Sequence, residues 1–154
     1  MTTFATPAAT KRYIDRFVSR AADGHFREAH GLAVSSLGMG TYLGNPDPKT
    51  DASYTAAVIT AAESGINLFD AAINYRFQRS ERSIGQALKQ LAAKGFSREE
   101  FVVCTKGGYL TPDGSMPSDP NEYPSRYSLL KSKLARHVLS RKTPAATPLR
   151  NVMK

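Results

Sequence analysis

The chain has no tryptophan, a single cysteine, three histidines and, from residue 129 to its end, no acidic residue at all. Each shortage excludes something. One cysteine, Cys104, cannot form an intramolecular disulfide or a multi-cysteine zinc site, and suits a reducing, cytoplasmic compartment. No apolar run approaches the ~18 residues of a membrane span, so no membrane partner is expected. The first residues lack the apolar segment of a secretory signal. No metal site is expected.

What is present is 154 residues, 41% apolar and 22% charged, the composition of one ordinary globular domain. The net charge of +8 is unevenly spread. Residues 1–128 hold 14 Lys/Arg and 13 Asp/Glu, whereas residues 129–154 hold the remaining seven Lys/Arg unopposed. A nearly neutral body carries a basic tail, so the charge describes the tail and not a nucleic-acid-binding fold.

Along the chain, "KRYIDRFVSRA" places Ile14, Phe17, Val18 and Ala21 on one helical face. "GHFREAHGLAVSSLGMGTYLG" alternates as strands do, with Gly31 at a turn. After "NPDPKTD", Thr50 or Asp51 is expected to cap a helix whose face holds Tyr54, Ala57, Val58 and Ala61, with Gly65 as its stop. "INLFDAA" has the length of a buried strand. Ser80 is expected to cap the next helix, with Glu81 at the positive end of its dipole. Its stripe is Ile84, Ala87, Leu88 and Leu91, and Gly95 ends it. "FVVCTK" is another strand. Strand–helix–strand–helix–strand implies an α/β fold with a parallel sheet. Residues 107–128 read as a long loop, and the basic tail as a short helix broken by Pro144 and Pro148.

Side chains repeat every two residues along a strand. If Ile66 and Leu68 face the inner side of the sheet, so does Asp70, while Phe69 and Ala71 face the helices. Val102, Cys104 and Lys106 share a face in the same way, with Cys104 expected to be packed as a small hydrophobe. Asp70 and Lys106 then stand at the C-terminal ends of neighbouring parallel strands, where α/β folds build their sites. Tyr75, five residues beyond Asp70, can reach both. A lysine cation beside a phenol favours the phenolate, and an aspartate can hold that lysine in place. The trio suits proton transfer at a carbonyl or alcohol oxygen. It is equally what a strand-end salt bridge beside an exposed tyrosine would look like.

The segments "GMGTYLG", "GINLFDAAINY", "SERSIGQAL" and "VVCTKGG", in that order, resemble the N-terminal half of the aldo-keto reductase superfamily. The preceding "HFREAHGLAV" resembles the hairpin that closes the bottom of that family's barrel. The resemblance implies a (β/α)8 TIM barrel and NADP(H)-dependent reduction of a small-molecule carbonyl. It implies Tyr75 as general acid, Lys106 as its cationic neighbour and Asp70 as the support. It places Gly40, Thr41, Tyr42 and Asp70 near the cofactor.

The family's fourth tetrad residue, a histidine after the fourth strand, has no counterpart in pattern. His137 lies in "KLARHVLSRK", which does not read as a buried strand, and His25 and His30 read as surface residues. A full barrel takes roughly 200 residues or more. The expectation is therefore an incomplete barrel of about three βα units. Residues 1–23 read as an N-terminal extension, 24–128 as the barrel part and 129–154 as a disordered basic tail. The expected function is an oxidoreductase of this type that is truncated and inactive alone, prone to self-association through open sheet edges. The competing reading is a non-catalytic protein whose tail binds nucleic acid or another polyanion.

Overall fold

The computed structural model describes residues 4–109 and 111–119. The chain divides into two units, Met1–Met116 and Pro117–Lys154, and every element below lies in the first. The basic tail, His137 and the loop beyond 119 lie outside the described residues.

Helix α1 spans Pro7–Asp15, with the Thr6 hydroxyl accepting from the Ala9 amide at 3.3 Å. It begins earlier than the sequence suggests, because Thr6–Pro7 is a strong start signal, and it ends earlier too, at Asp15. Ile14 and Phe17 are buried as expected, Val18 is exposed, and Tyr13 is the largest side chain that α1 buries. Burial pushes the Tyr13 phenol up, so it stays protonated and donates to the Ala62 carbonyl at 2.6 Å. Residues 1–23 thus supply Tyr13, Ile14 and Phe17 to the same core as the elements that follow.

Strands β1 (Phe26–Ala29) and β2 (Leu32–Ser35) form an antiparallel hairpin. Its two-residue turn is His30–Gly31, both at positive φ, as type I′ geometry requires. Three parallel strands follow: β3 (Met39–Gly40), β4 (Leu68–Asp70) and β5 (Val102–Cys104), in the spatial order β3-β4-β5. Helices α2 (Pro48–Glu63) and α3 (Arg79–Ala93) connect them. Gly65 and Gly95, just past the two helices, have φ of 93° and 84°, the left-handed conformation in which helices commonly stop. Mixed α/β architecture with a hairpin and a parallel sheet agrees with the sequence reading. No closed barrel and no helix after β5 occur among the described residues.

Both helix starts differ from expectation. Asp47, not Thr50 or Asp51, caps α2, accepting from the Thr50 amide at 2.7 Å, and Pro48 occupies the first helical position. The α2 face is also rotated: Val58 and Ala62 are buried, and Ala57 is exposed. At α3 the cap position is Gln78 in the left-handed region, while Ser80 lies inside the first turn, buried.

The backbone bond from Thr50, then its side chain, hold the Asp47 carboxyl below its ordinary value of 3.8. Its stabilisation is therefore present above that value and lost as pH falls through the lower folded value. On acidification, exchange protection of the Thr50 amide should fall before that of the Val102 amide, which is bonded to the Asn67 carbonyl. Unchanged relative protection of Thr50 in acid would remove the cap from this role.

One face of the parallel sheet is dry. Phe69 and Ala71 pack with Phe101, with Val58 and Ala62 of α2, and with Ile84, Ala87 and Leu91 of α3. Each large side chain buried there contributes roughly 1.5–3 kcal/mol. Within β4 and β5 strand parity is as read from the sequence, with Leu68 and Val102 on the opposite face only half-buried. Ile66, expected on that face too, precedes β4 and packs against the helix-side core instead. Cys104 is exposed rather than packed, because no strand among the described residues covers that face.

Asn67, fully buried just before β4, ties the hairpin to the sheet. Its Oδ1 accepts from the Ser35 amide at 2.9 Å, and its Nδ2 donates to the carbonyls of Ala33 at 3.0 Å and Glu100 at 3.3 Å. The Asn67 amide in turn donates to the Ser35 hydroxyl at 3.1 Å. The hairpin therefore sits at the N-terminal ends of β4 and β5, leaving the C-terminal ends to the site. His25 is half-buried, its ring nitrogen 3.0 Å from the Gly65 carbonyl oxygen, so it is not the free surface residue expected. His30 is exposed.

Candidate active site

At the C-terminal ends of β3, β4 and β5 the chain leaves the sheet at Gly40, Asp70 and Cys104, which lie side by side in register. The β4–β5 ladder continues past the strands, through the Ala71 amide to the Cys104 carbonyl at 2.9 Å and the Ile73 amide to the Lys106 carbonyl at 3.4 Å. This extension carries Lys106 alongside the Asp70 carboxylate.

Lys106 Nζ is 2.6 Å from both carboxylate oxygens of Asp70, 3.0 Å from the Ala71 carbonyl oxygen and 3.1 Å from the Tyr75 phenolic oxygen. The ammonium donates to all three groups, and Nζ lies 4.8 Å from the centre of the Tyr75 ring. The hydrogen bond to Asp70, followed by that to Tyr75, raises the Lys106 pKa above its ordinary value. Asp70 and Lys106 are 45% and 49% exposed, so solvent screens the pair, and its worth lies in position rather than stability.

The remaining residues expected here are placed differently from one another. Gly40 is exposed, and an added Cβ would meet nothing within 4 Å among the described residues. Thr41 is buried: its hydroxyl donates to the Asp70 carbonyl at 2.8 Å and contacts the Ser80 hydroxyl. That makes Thr41 and Ser80 an internal brace between the end of β3, the end of β4 and α3. Tyr42 is 62% exposed, and its ring meets the Tyr75 ring edge-on, with centroids 4.9 Å apart.

Sequence reasoning missed the frame around Tyr75. Asp51, in the first turn of α2, pairs with Arg76 at 2.5 Å and Arg79 at 2.6 Å. Arg79 Nε donates to the Gly114 carbonyl at 2.6 Å, the Gly114 amide to the Phe77 carbonyl at 2.9 Å, and Arg82 pairs with Asp113 at 2.6 Å. The segment around 111–114 is thereby laced to residues 77–82. An arginine beside a loop tyrosine reads as solvated, and only its charge match with Asp51 hints otherwise.

The model of the Aldo/keto reductase family matches residues 36–135, a span that contains β3, β4, β5, Asp70, Tyr75 and Lys106. The chain belongs to the aldo/keto reductase family. No solved structure matches it. The three parallel strands and the hairpin beneath them are compatible with part of that family's barrel.

Proposed function

We propose that this aldo/keto reductase chain carries the proton-donating wall of an NADPH-dependent carbonyl reductase site, with Tyr75 as the acid. The observation that carries the reading is the single ammonium of Lys106 bonded at once to Asp70 and to the Tyr75 phenol. The donor set suits the reacting end of a nicotinamide cofactor. Open backbone at Gly40 lies beside Asp70 in the sheet, the exposed Tyr42 ring meets the Tyr75 ring, and the half-exposed carboxylate of Asp70 shares Lys106 with the phenol.

The chemistry supplied by the cofactor when bound is hydride transfer to the carbonyl carbon. The proton for the carbonyl oxygen comes from the Tyr75 hydroxyl. As that proton leaves, Lys106 Nζ, already donating to the phenolic oxygen, stabilises the negative charge left behind. Asp70 and the Ala71 carbonyl fix the ammonium so that it need not reorganise during the step. The phenol regains its proton from solvent through the exposed side.

Where the sequence reading expects a chain inactive alone, the assembled contact of Asp70, Lys106 and Tyr75 supports slow turnover instead, weakened because the pair stands half in solvent. The test is cofactor oxidation followed at high protein concentration against a panel of small aldehydes and ketones. The proposal expects slow, substrate-dependent oxidation that needs the Tyr75 hydroxyl. Oxidation that persists without that hydroxyl would overturn it. The polyanion-binding alternative concerns residues 129–154, which lie outside the described residues.

A further inference from the structure

We infer that Arg76 is a positioning residue for Tyr75, acting through a closed circuit of contacts that fixes the phenol; this rests on the proton-donor reading above. Immediately after Tyr75, three consecutive non-glycine residues adopt left-handed backbone: Arg76 at φ 48°, Phe77 at 55° and Gln78 at 71°. Such a run persists only where surrounding contacts over-determine it.

Arg76 supplies those contacts. Its side chain is 2% exposed, pairs with Asp51 at 2.5 Å and donates to the Ser83 hydroxyl at 3.2 Å. Among the described residues its buried Nε has no hydrogen-bond partner, a cost that calls for an explanation.

The circuit closes through a tyrosine. The Arg76 guanidinium lies over the Tyr54 ring, 4.5 Å from its centre. The Tyr54 hydroxyl donates to the Leu43 carbonyl at 2.8 Å. Leu43 follows Tyr42, whose ring meets the Tyr75 ring edge-on. Tyr75 is held from its own backbone by Arg76 and from its ring by Tyr42, and Tyr54 connects the two holds. A phenol displaced by about an ångström from its reacting position loses about 100-fold in rate. Arg76 is thus expected to act on turnover without touching substrate.

Two variants separate grip from fold. Arg76→Gly suits the left-handed backbone and removes the guanidinium, whereas Tyr54→Phe removes only the hydroxyl that reaches Leu43. In the full 154-residue chain, each should keep a cooperative melt but lose the nuclear Overhauser contact between the Tyr42 and Tyr75 rings. The Tyr75 ring resonances should move with it. Turnover should fall by about 10- to 100-fold with KM little changed. If Arg76→Gly fails to fold, Tyr54→Phe carries the test. Ring contacts and Tyr75 resonances unchanged in Tyr54→Phe would overturn the inference. These ring signals do not depend on turnover, so loss of the proton-donor reading, through a fully active Tyr75→Phe, would register separately.

Discussion

Replacing Tyr75 by Phe is expected to lower carbonyl reduction by about 10²–10⁴-fold, the usual contribution of a positioned general acid, and to leave cofactor affinity largely intact. The substitution keeps the ring, and with it the edge contact to Tyr42 and the face beneath Lys106. It deletes one atom, the oxygen that accepts from Lys106 at 3.1 Å. A loss confined to kcat is the pattern of an interaction used in the transition state. Cofactor oxidation and cofactor fluorescence, measured on the same preparations, separate the two quantities. A Tyr75→Phe protein with most of the parental rate would show that the proton comes from elsewhere.

The largest effect on stability is expected at Asn67. Replacement by Leu, which is similar in size, strands the Ser35 amide and the Ala33 and Glu100 carbonyls in a buried setting. Each abandoned partner costs about 1–3 kcal/mol, so a loss of about 3–5 kcal/mol is expected once the leucine's apolar gain offsets part of it. Against a native margin of ~5–15 kcal/mol this is large enough to shift the melting temperature by on the order of 15 °C. Thermal and denaturant unfolding of Asn67→Leu measure it. A variant within about 1 kcal/mol of the parent, the scale of one ordinary hydrogen bond, would mean that the hairpin is anchored by something other than this side chain.

The candidate site was legible in the sequence because strand parity is rigid. Once "INLFD" and "FVVCTK" are strands, Asp70 and Lys106 must share a face, and Tyr75 follows too closely to be far away. Parity does not give exposure, which depends on what covers the face. That is why Cys104 was placed on the correct side and nevertheless stands in solvent. Thr50 and Asp51 are cap candidates by residue type, but Asp47–Pro48 combines an acceptor with the preset φ of proline and outcompetes them. The start of α3 could not be read that way. Its left-handed approach through Arg76, Phe77 and Gln78 uses residues with no intrinsic preference for that conformation, and is enforced by ion pairs between distant segments. Asn67 carried a signal that passed unused: a lone amide in an apolar run is costly to bury unless it is fully bonded.

Everything at this site depends on Lys106 being held as an ammonium by Asp70 and presented to the Tyr75 phenol, and titration of Lys106 by carbon-13 lysine resonances tests that most directly. Because its folded pKa is raised, the grip is fully present below the ordinary lysine value of 10.5 and is lost only as pH rises through the higher folded value. Lys106 should titrate above that ordinary value, and its pKa should fall clearly in Asp70→Asn and by less in Tyr75→Phe. A Lys106 that titrates at the ordinary value and does not respond to Asp70→Asn would contradict it.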